Sequence, residues 1–394
     1  MIFEIGSVTA DKYEMEFVPN PNDYLEYNSF KAHPSLFQDN VFERFFIPTK
    51  TNLDIHSNIN KTLSRIGNEY PEPLQGKKSI SDQLTQYRHS LKANDLTLLG
   101  LISEGEQGLV TGNNSRYIAQ IINSTDEAEK INEKFLKELA KYDFEGLALN
   151  ELKERIDFYY DKAEKFKLNH SKPDIFGKFF IYKYKYNDQV VPFEKLSVNE
   201  KKYGCENETW VNYYKGNSDG LTWRIPFSES ILWTKETVTE LSEGKVTNSR
   251  WQGHNFFKTT GFAWVDYFTS RVKSFFVNEG IYSKNIVKLH SILDSVPDKY
   301  VVACLNSKFI SYYVKNFITS THTLQINDGR LIPIKIPNKD ELMAIIKVVD
   351  LILEIKEKDS EAETHDLDKK IDNLVYQIYG LKDETIKIIE EANT

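Results

Sequence analysis

The sequence predicts an α+β fold in which an aromatic-rich antiparallel β-domain is flanked by helical segments. Residues 176–278 consist of short runs of aromatic and β-branched side chains separated by Gly, Asn and Ser turns, a texture typical of antiparallel strands. The residues before and after this region show helical periodicity instead. All five tryptophans fall inside the β-rich region, where we expect most of them to pack in a core: Trp210, Trp223, Trp233, Trp251 and Trp264.

Three segments follow from this pattern. Residues 1–97 mix short β-like runs with breaks rich in Pro and Asn; we assign them no role and interpret them as a remnant of, or a linker from, another part. Residues 98–335 form the central region and contain a helical insertion at about 126–169. Ser124 and Glu127 open that insertion, because their side chains can cap each other's backbone N–H groups. Residues 336–394 are the C-terminal helices.

Helical signals dominate the chain after Pro297. Apolar residues recur there at three- and four-residue spacing, including Val301, Leu305 and Phe309, which predicts helices with one buried face. Asn338 and Glu341 form a capping pair at the start of the next helix. Gly380 is a suitable residue to end the helix that follows.

The net charge of −8 is spread unevenly along the 394 residues. Residues 171–335 hold 22 Lys and Arg against 16 Asp and Glu, a net charge of +6, which leaves −14 for the remainder. A basic region inside an acidic frame is the pattern expected of a protein that contacts phosphates, although scattered charges can also produce it.

The composition also bears on the compartment. The sequence has no run of about 18 apolar residues and no basic start followed by an apolar stretch, so we expect a soluble cytoplasmic protein. Cys205 and Cys304 are about a hundred positions apart, and we expect both to be reduced thiols with structural roles.

Common catalytic motifs are missing from the sequence. It contains no Gly-x-Gly, no Gly-x-x-x-x-Gly-Lys, no Pro-Pro pair and no His-Glu-x-x-His, which are signatures of nucleotide, methyl-donor and zinc sites. A metal-dependent nuclease stays open as an alternative, because Pro173-Asp174, Pro297-Asp298 and Glu151-Leu-Lys153 provide its residue types. The same triplets are also expected by chance in helices rich in Lys and Glu. We therefore predict no complete catalytic site and no cofactor in this chain.

Three polar loops have the residue types that bind nucleic acid. The first, Ser103 to Tyr117, places glycines among Thr111, Asn113, Asn114 and Arg116, which suit phosphate oxygens. The second runs from Trp210 to Arg224 and the third from Arg250 to Lys258. Arg and Lys can contact guanine, and Asn and Gln match adenine. Each loop could equally be an ordinary turn that packs on the surface.

These blocks resemble the C-terminal half of type IIG restriction-modification enzymes. The similar stretches are SEGEQGLVTGNNSRY from Ser103, Trp210 to Gly216, Arg250 to Gly253, GFAW from Gly261, and LNSKFISYYVKNFITSTHTLQINDGRLIPIKIP from Leu305. The final helices, IDNLVYQIYGLKDETIKIIEE, are similar as well. The resemblance covers about residues 98–391 and implies that residues 98–335 are a target-recognition region for bacterial phage defence.

The resemblance also implies partners. Type IIG enzymes join a nuclease, an adenine-N6 methyltransferase and a recognition domain, so the missing catalytic part would use S-adenosylmethionine and Mg²⁺ in the same or a separate polypeptide. No methyltransferase motif precedes the recognition region here. Two alternatives stay open: a divergent nuclease or methyltransferase in its own right, and a protein-binding assembly factor of phage defence.

Two sets of side chains are expected to contact double-stranded DNA. We predict phosphate contacts for Thr111, Asn113, Arg116, Lys215, Lys258, Asn327 and Arg330, and base contacts for Asn217, Arg224, Arg250 and His254. Thr111, Gly112, Asn113, Lys215, Asn327 and Arg330 lie in positions that match the family's motifs. For Gly112 we expect a conformational role.

Overall fold

The computed structural model describes residues 2–3, 15–18, 30–32, 46–47, 49–77, 82–139, 181–216, 220–268 and 271–392. The predicted insertion begins as helix Thr125–Leu139, and its remainder lies outside the described residues. Half of the predicted reciprocal cap is present: Ser124 Oγ accepts the Glu127 N–H at 3.3 Å, whereas Glu127 Oε2 accepts the N–H of Asn123 at 3.1 Å instead of that of Ser124.

The described elements alternate between short strands and helices. The strands are β1 (Ile2–Phe3), β2 (Met15–Val18), β3 (Phe30–Ala32), β4 (Leu96–Leu98), β5 (Ser103–Gln107), β6 (Ile118–Ile122), β7 (Lys183–Tyr186), β8 (Val190–Val191), β9 (Trp210–Tyr214), β10 (Glu229–Leu232), β11 (Gly261–Val265), β12 (Ser274–Val277), β13 (Ile281–Tyr282), β14 (Ile286–Ser291) and β15 (Pro333–Lys335). The α-helices are α1 (Lys50–Ile55), α2 (Lys61–Glu69), α3 (Pro71–Leu74), α4 (Asp82–Ser90), α5 (Leu99–Ile102), α6 (Asn114–Tyr117), α7 (Thr125–Leu139), α8 (Val198–Tyr203), α9 (Lys235–Ser242), α10 (Asp298–Asn306), α11 (Lys308–Tyr313), α12 (Ile326–Gly329), α13 (Lys339–Lys358), α14 (His365–Tyr379) and α15 (Asp383–Ala392).

Two sheets form the β-rich region. One is antiparallel, with strand order β12-β11-β14-β5. The other is mixed: β13, β9, β10, β6 and β7 are neighbours in that order, and β8 also pairs with β9. In the mixed sheet β10 is antiparallel to both β9 and β6, whereas the pairs β13–β9, β8–β9 and β6–β7 are parallel. The α+β prediction is confirmed, and the parallel pairs are an addition that the sequence did not indicate.

The antiparallel sheet is buried on both faces. Strand β11 alternates between them: Phe262 and Trp264 face a helix–sheet core, whereas Ala263 faces an inter-sheet core that also holds Trp233 and Phe275. This is the period of two expected for a strand. Trp223 and Trp233 are fully buried and Trp210 nearly so, which confirms the prediction that most tryptophans pack internally.

Helices occupy much of residues 50–90, where the sequence indicated only short β-like runs. Ile55, Ile59, Leu63 and Ile66 recur every three or four residues and are buried in the helix–sheet core. The stretch between α1 and α2, His56–Asn60, is a π-helix. The prediction of short β-like runs was wrong here. The Asn and Thr residues between the apolar residues were interpreted as breaks, although the apolar residues form one face of a helix.

The C-terminal helices follow the sequence closely. Asn338 Oδ1 accepts the Glu341 N–H at 3.0 Å and Glu341 Oε2 accepts the Asn338 N–H at 2.8 Å, so the predicted capping pair begins α13. Gly380 ends α14 in the left-handed conformation with φ 64°. Helices α13–α15 contribute Ile345, Val375 and Ile389 to the helix–sheet core. Cys205 and Cys304 are free and buried, as predicted.

A search of the described helices for membrane-crossing segments finds none that is both long and apolar enough.

Candidate nucleic-acid interface

The turn between β13 and β14, residues 283–285, joins segments that are far apart in sequence. The Ser283 N–H donates to the Tyr214 carbonyl at 2.7 Å, and Ser283 Oγ donates to the Lys215 carbonyl at 2.8 Å. The Lys284 N–H donates to the Leu109 carbonyl at 3.1 Å. The end of β9 and the glycine-containing loop after β5 therefore meet at one turn.

The third predicted loop packs against the first. Val110 and Arg250 exchange backbone hydrogen bonds of 3.1 and 2.9 Å, and Gln252 Nε2 donates to the Gly108 carbonyl at 2.6 Å. The Gly253 N–H also donates to Glu106 Oε2 at 3.0 Å. Residues 106–110 of the first loop thus contact the start of the third loop, and the same segment shares the residue 283–285 turn with Lys215 of the second loop.

Gly112 allows the first loop to approach residues 247–249, which lead directly into the third loop. Its φ is +71°, and a Cβ at this position would lie 2.5 Å from the Thr247 carbonyl oxygen and 2.8 Å from the Ser249 nitrogen. Only glycine tolerates both this conformation and this crowding. The conformational role expected for Gly112 is consistent with this geometry.

Thr111 and Asn113 hold the first loop from the inside. Both are buried; Thr111 Oγ1 donates to Asn114 Oδ1 at 2.6 Å, and Asn113 Oδ1 accepts the Arg116 N–H at 3.2 Å at the start of α6. Burial leaves these two side chains little surface to offer a phosphate. The geometry favours a supporting role for them over the predicted phosphate contact.

Arg116 and Lys215 are partly buried beside carboxylates. Arg116 Nη2 lies 3.3 Å from Glu240 Oε1, and Lys215 Nζ lies 3.8 Å from Glu229 Oε1. Burial lowers the pKa of Lys215, and Glu229 opposes that change. Asn217, which follows Lys215 in the same loop, lies outside the described residues.

Arg250, His254 and Lys258 are exposed. The His254 ring stacks on Trp251 with centroids 5.8 Å apart, and His254 Nδ1 lies 3.1 Å from the Trp251 carbonyl oxygen. The Trp251–His254 stack therefore supports the loop, and the side chains of Arg250, His254 and Lys258 remain accessible.

Lys288 on β14 is buried and holds the C-terminal end of the third loop, at residues 256–259. Its side chain is 1% exposed, and Nζ donates to the carbonyls of Phe256, Thr259 and Asn278 at 3.0, 2.7 and 3.2 Å. Burial lowers the pKa of Lys288 to about 7, and Glu279 opposes the change. This buried ammonium fixes the backbone on both sides of Lys258.

Arg224, Asn327 and Arg330 have their polar contacts away from the residue 283–285 turn. Arg224 is exposed and pairs with Glu357 of α13 at 3.3 Å. Arg330 Nη1 donates to the exposed Asn327 at 2.6 Å, and Arg330 Nη2 lies 3.4 Å from the Gly105 carbonyl oxygen. Burial lowers the pKa of Arg330. None of the contacts of these three residues involves the residue 283–285 turn.

Two further exposed lysines lie in or beside these segments but had no motif to indicate them. Lys284 is part of the turn itself, and Lys273 lies against Gly220, at the end of the loop that begins with Lys215. We name the set Lys215, Arg250, Lys273 and Lys284 the basic rim. These residues are far apart in sequence, with 35 positions between Lys215 and Arg250 and 34 between Arg250 and Lys284, and contacts between distant segments link each of them to one of the predicted loops.

Several other cations of the β-rich region have carboxylate partners. Lys185 pairs with Glu208 at 3.0 Å and Lys201 pairs with Glu279 at 2.5 Å, while Lys235 pairs with Glu206. Among the described residues, no group of three His, Cys, Asp or Glu side chains is arranged to hold a metal ion.

No protein-family model matches the chain, and no curated protein sequence matches it either.

Proposed function

We propose that the chain binds double-stranded DNA through the basic rim and serves as the target-recognition module of a bacterial type IIG restriction-modification system. The observation that carries the proposal is that the first and second predicted loops meet at the residue 283–285 turn, while Arg250 of the third loop pairs with Val110 of the first. Loops on a β-scaffold can enter a DNA groove, and clustered Lys and Arg side chains can neutralise its phosphates.

The geometry suggests different tasks for the cations. Lys273 and Lys284 are exposed lysines, which contact phosphates as mobile point charges. Lys215 is held beside Glu229 and would complete the same phosphate track. Arg250 and His254 lie on a loop ordered by Trp251 and Lys288, so they are the best placed of the described residues to read base edges. Asn217 stays a prediction for base contact.

The proposal leaves the chemistry to another polypeptide or another part of the system. S-adenosylmethionine and Mg²⁺ would be bound there, as the resemblance to type IIG enzymes implies. We derive no reaction step within this chain. Its contribution would be to dock the duplex and present the target adenine to the methyltransferase.

Fluorescence anisotropy with a labelled duplex, enriched from a random pool by the chain itself, tests the proposal. Log affinity should fall linearly with log salt, at about 0.9 per phosphate contact. The double substitution Lys273→Ala/Lys284→Ala should lower that slope by about two units. The matched control is Lys339→Ala/Lys347→Ala, which removes two exposed lysines from α13 and should leave the slope unchanged.

The same titrations distinguish reading from positioning. Arg250→Ala should cost about 1–3 kcal/mol on the enriched duplex and little on a scrambled one. Failure to bind any duplex at low salt would refute DNA binding and favour the protein-binding alternative. Bound S-adenosylmethionine or metal-dependent cleavage by the chain alone would instead favour an enzyme in its own right.

A further inference from the structure

An aromatic side chain lies near the residue 283–285 turn without belonging to any predicted site. Tyr267 follows β11 and is 60% exposed, an unusual position for so large a ring. The exposed residues Thr321, His322 and Thr323 lie beside it on the loop that follows residue 318. We name Tyr267, Thr321, His322 and Thr323 the aromatic patch.

The backbone beneath the aromatic patch is fixed on both sides. Tyr267 and Thr323 form an antiparallel bridge, the Phe268 N–H donates to the His322 carbonyl at 2.9 Å, and the Leu324 N–H donates to the Asp266 carbonyl at 2.7 Å. Phe268 and Leu324 are buried directly below. Alternation along these two extended segments therefore directs Tyr267 and Thr323 outward.

A buried indole strengthens this support. Trp264 is 1% exposed, and its Nε1 donates to the Leu324 carbonyl at 2.9 Å. The exposed ring of Tyr267 thus stands on a backbone tied to the helix–sheet core. A rigid aromatic loses little conformational entropy when it binds a flat partner.

The chemistry of the patch suits a planar polar partner. The rings of Tyr267 and His322 are 6.1 Å apart and tilted by 45°, so they do not cover each other. Thr321 Oγ1 lies 2.9 Å from Thr319 Oγ1 and 3.0 Å from Thr323 Oγ1, which gives a row of hydroxyl groups at the edge of the rings. An aromatic face bordered by donors and acceptors matches a nucleobase.

The patch is continuous with the basic rim. The Asp266 N–H, one residue before Tyr267, donates to the Asn285 carbonyl at 2.8 Å, and Lys284 precedes Asn285 in the same turn. A strand whose phosphates contact Lys284 would therefore run past Tyr267. This neighbourhood favours nucleic acid over an uncharged apolar partner.

We propose that the aromatic patch is a base-stacking site, in which Tyr267 stacks on a nucleobase of the bound DNA while His322 and the threonine hydroxyls contact its edge. The inference rests on the proposed DNA binding. Protein side chains inserted against unstacked base steps are a known means of holding a deformed duplex.

Three variants test this site with the enriched duplex. Tyr267→Ala should weaken binding by about 5- to 100-fold, the loss expected for one base–aromatic stack. Tyr267→Phe keeps the ring and should stay within about 3-fold of the unsubstituted chain. Tyr203→Ala removes an exposed tyrosine from α8 and should change nothing. Circular dichroism verifies that each variant is folded.

A fluorescent base gives a second measurement. 2-Aminopurine placed at successive positions of the duplex should change its fluorescence at one position with the unsubstituted chain and lose that change with Tyr267→Ala. If the chain binds DNA but Tyr267→Ala keeps both affinity and fluorescence, or Tyr267→Phe is as weak as Tyr267→Ala, the stacking site is refuted. If the unsubstituted chain binds no duplex, DNA binding itself has failed.

Discussion

Lys288 shows how a single buried charge can organise a surface loop. Its ammonium is the common donor to three carbonyls from two different loops, so the position of Lys258 and the entry to β11 depend on it. Glu279 and the cross-strand neighbour Glu106 are the nearby acids, the Tyr282 ring lies 5.3 Å from Nζ, and His290 follows two positions later on β14.

The lowered pKa of Lys288 predicts a rise of stability with pH. Between its folded pKa of about 7 and its ordinary value of 10.5, the unfolded chain binds more protons at this site, so the free energy of unfolding increases. From pH 7 to 8.5 the gain should be about 2 kcal/mol at most. The pKa values of Cys304 and Tyr282 are raised in the folded chain, so these groups lower the free energy of unfolding as the pH rises above their ordinary pKa values. The range from pH 7 to 8.5 lies below those ordinary values, so the contribution of Lys288 dominates there. Urea unfolding at several pH values measures the rise, and Lys288→Met should lack it; parallel curves for both proteins would contradict the prediction.

Single residues also show where the sequence was insufficient. Thr111 and Asn113 have the right types for phosphate contact, but both are turned inward as supports of their loop. The reverse holds for Lys273, Lys284 and Tyr267, which no motif indicated and which strand pairing brings to the surface beside the predicted loops. Residue type can be read from the sequence, whereas orientation depends on contacts between distant segments.

At the scale of elements, the predictable features are local. The capping pair of Asn338 and Glu341, the end of α14 at Gly380 and the alternation in β11 depend on neighbours in sequence and are present in the structure. The parallel pairing of β13 with β9 connects residues almost 70 positions apart, and no local pattern encodes it. The helices at 50–90 were missed because their stripe is interrupted by polar residues and shifted by a π-turn.

The junction between the first and third loops gives an element-scale prediction. Gly112→Ala should destabilise the chain and displace both loops, because a methyl group would meet the Thr247 carbonyl in a backbone conformation with positive φ. Gly244→Ala is the matched control: its φ is +67°, but no atom lies within 4 Å of the new Cβ. The two variants share the conformational cost, so Gly112→Ala should be the less stable by about 1–3 kcal/mol, the cost of crowding. Equal midpoints in urea would show that the loops do not pack as described.

At the scale of the whole molecule, the division of the chain by charge does not coincide with its division into hydrophobic cores. The sequence separates a basic region from an acidic frame, whereas the helix–sheet core combines residues from Phe46 to Ile389. The C-terminal helices, which the sequence placed in a segment of their own from residue 336, therefore pack on the same core as α1, α2 and α10. Salt bridges engage some cations of the basic region, including Lys185 and Lys201, whereas no ion pair is formed by Lys273 or Lys284 of the basic rim with the described residues.

The shared antiparallel sheet predicts that both cores unfold together. Phe262 and Trp264 belong to the helix–sheet core, and their strand neighbour Ala263 belongs to the inter-sheet core, so neither core can open without exposing the other face of β11. Two variants report the cores separately: one retains only Trp264 and the other only Trp233, with the remaining tryptophans replaced by Phe. Far-ultraviolet circular dichroism measures the overall stability of each variant. Within each variant, the urea midpoint from tryptophan fluorescence should coincide with the urea midpoint from circular dichroism. An earlier fluorescence midpoint for the Trp233 variant would mean that the inter-sheet core, and with it the basic rim, unfolds as an independent unit.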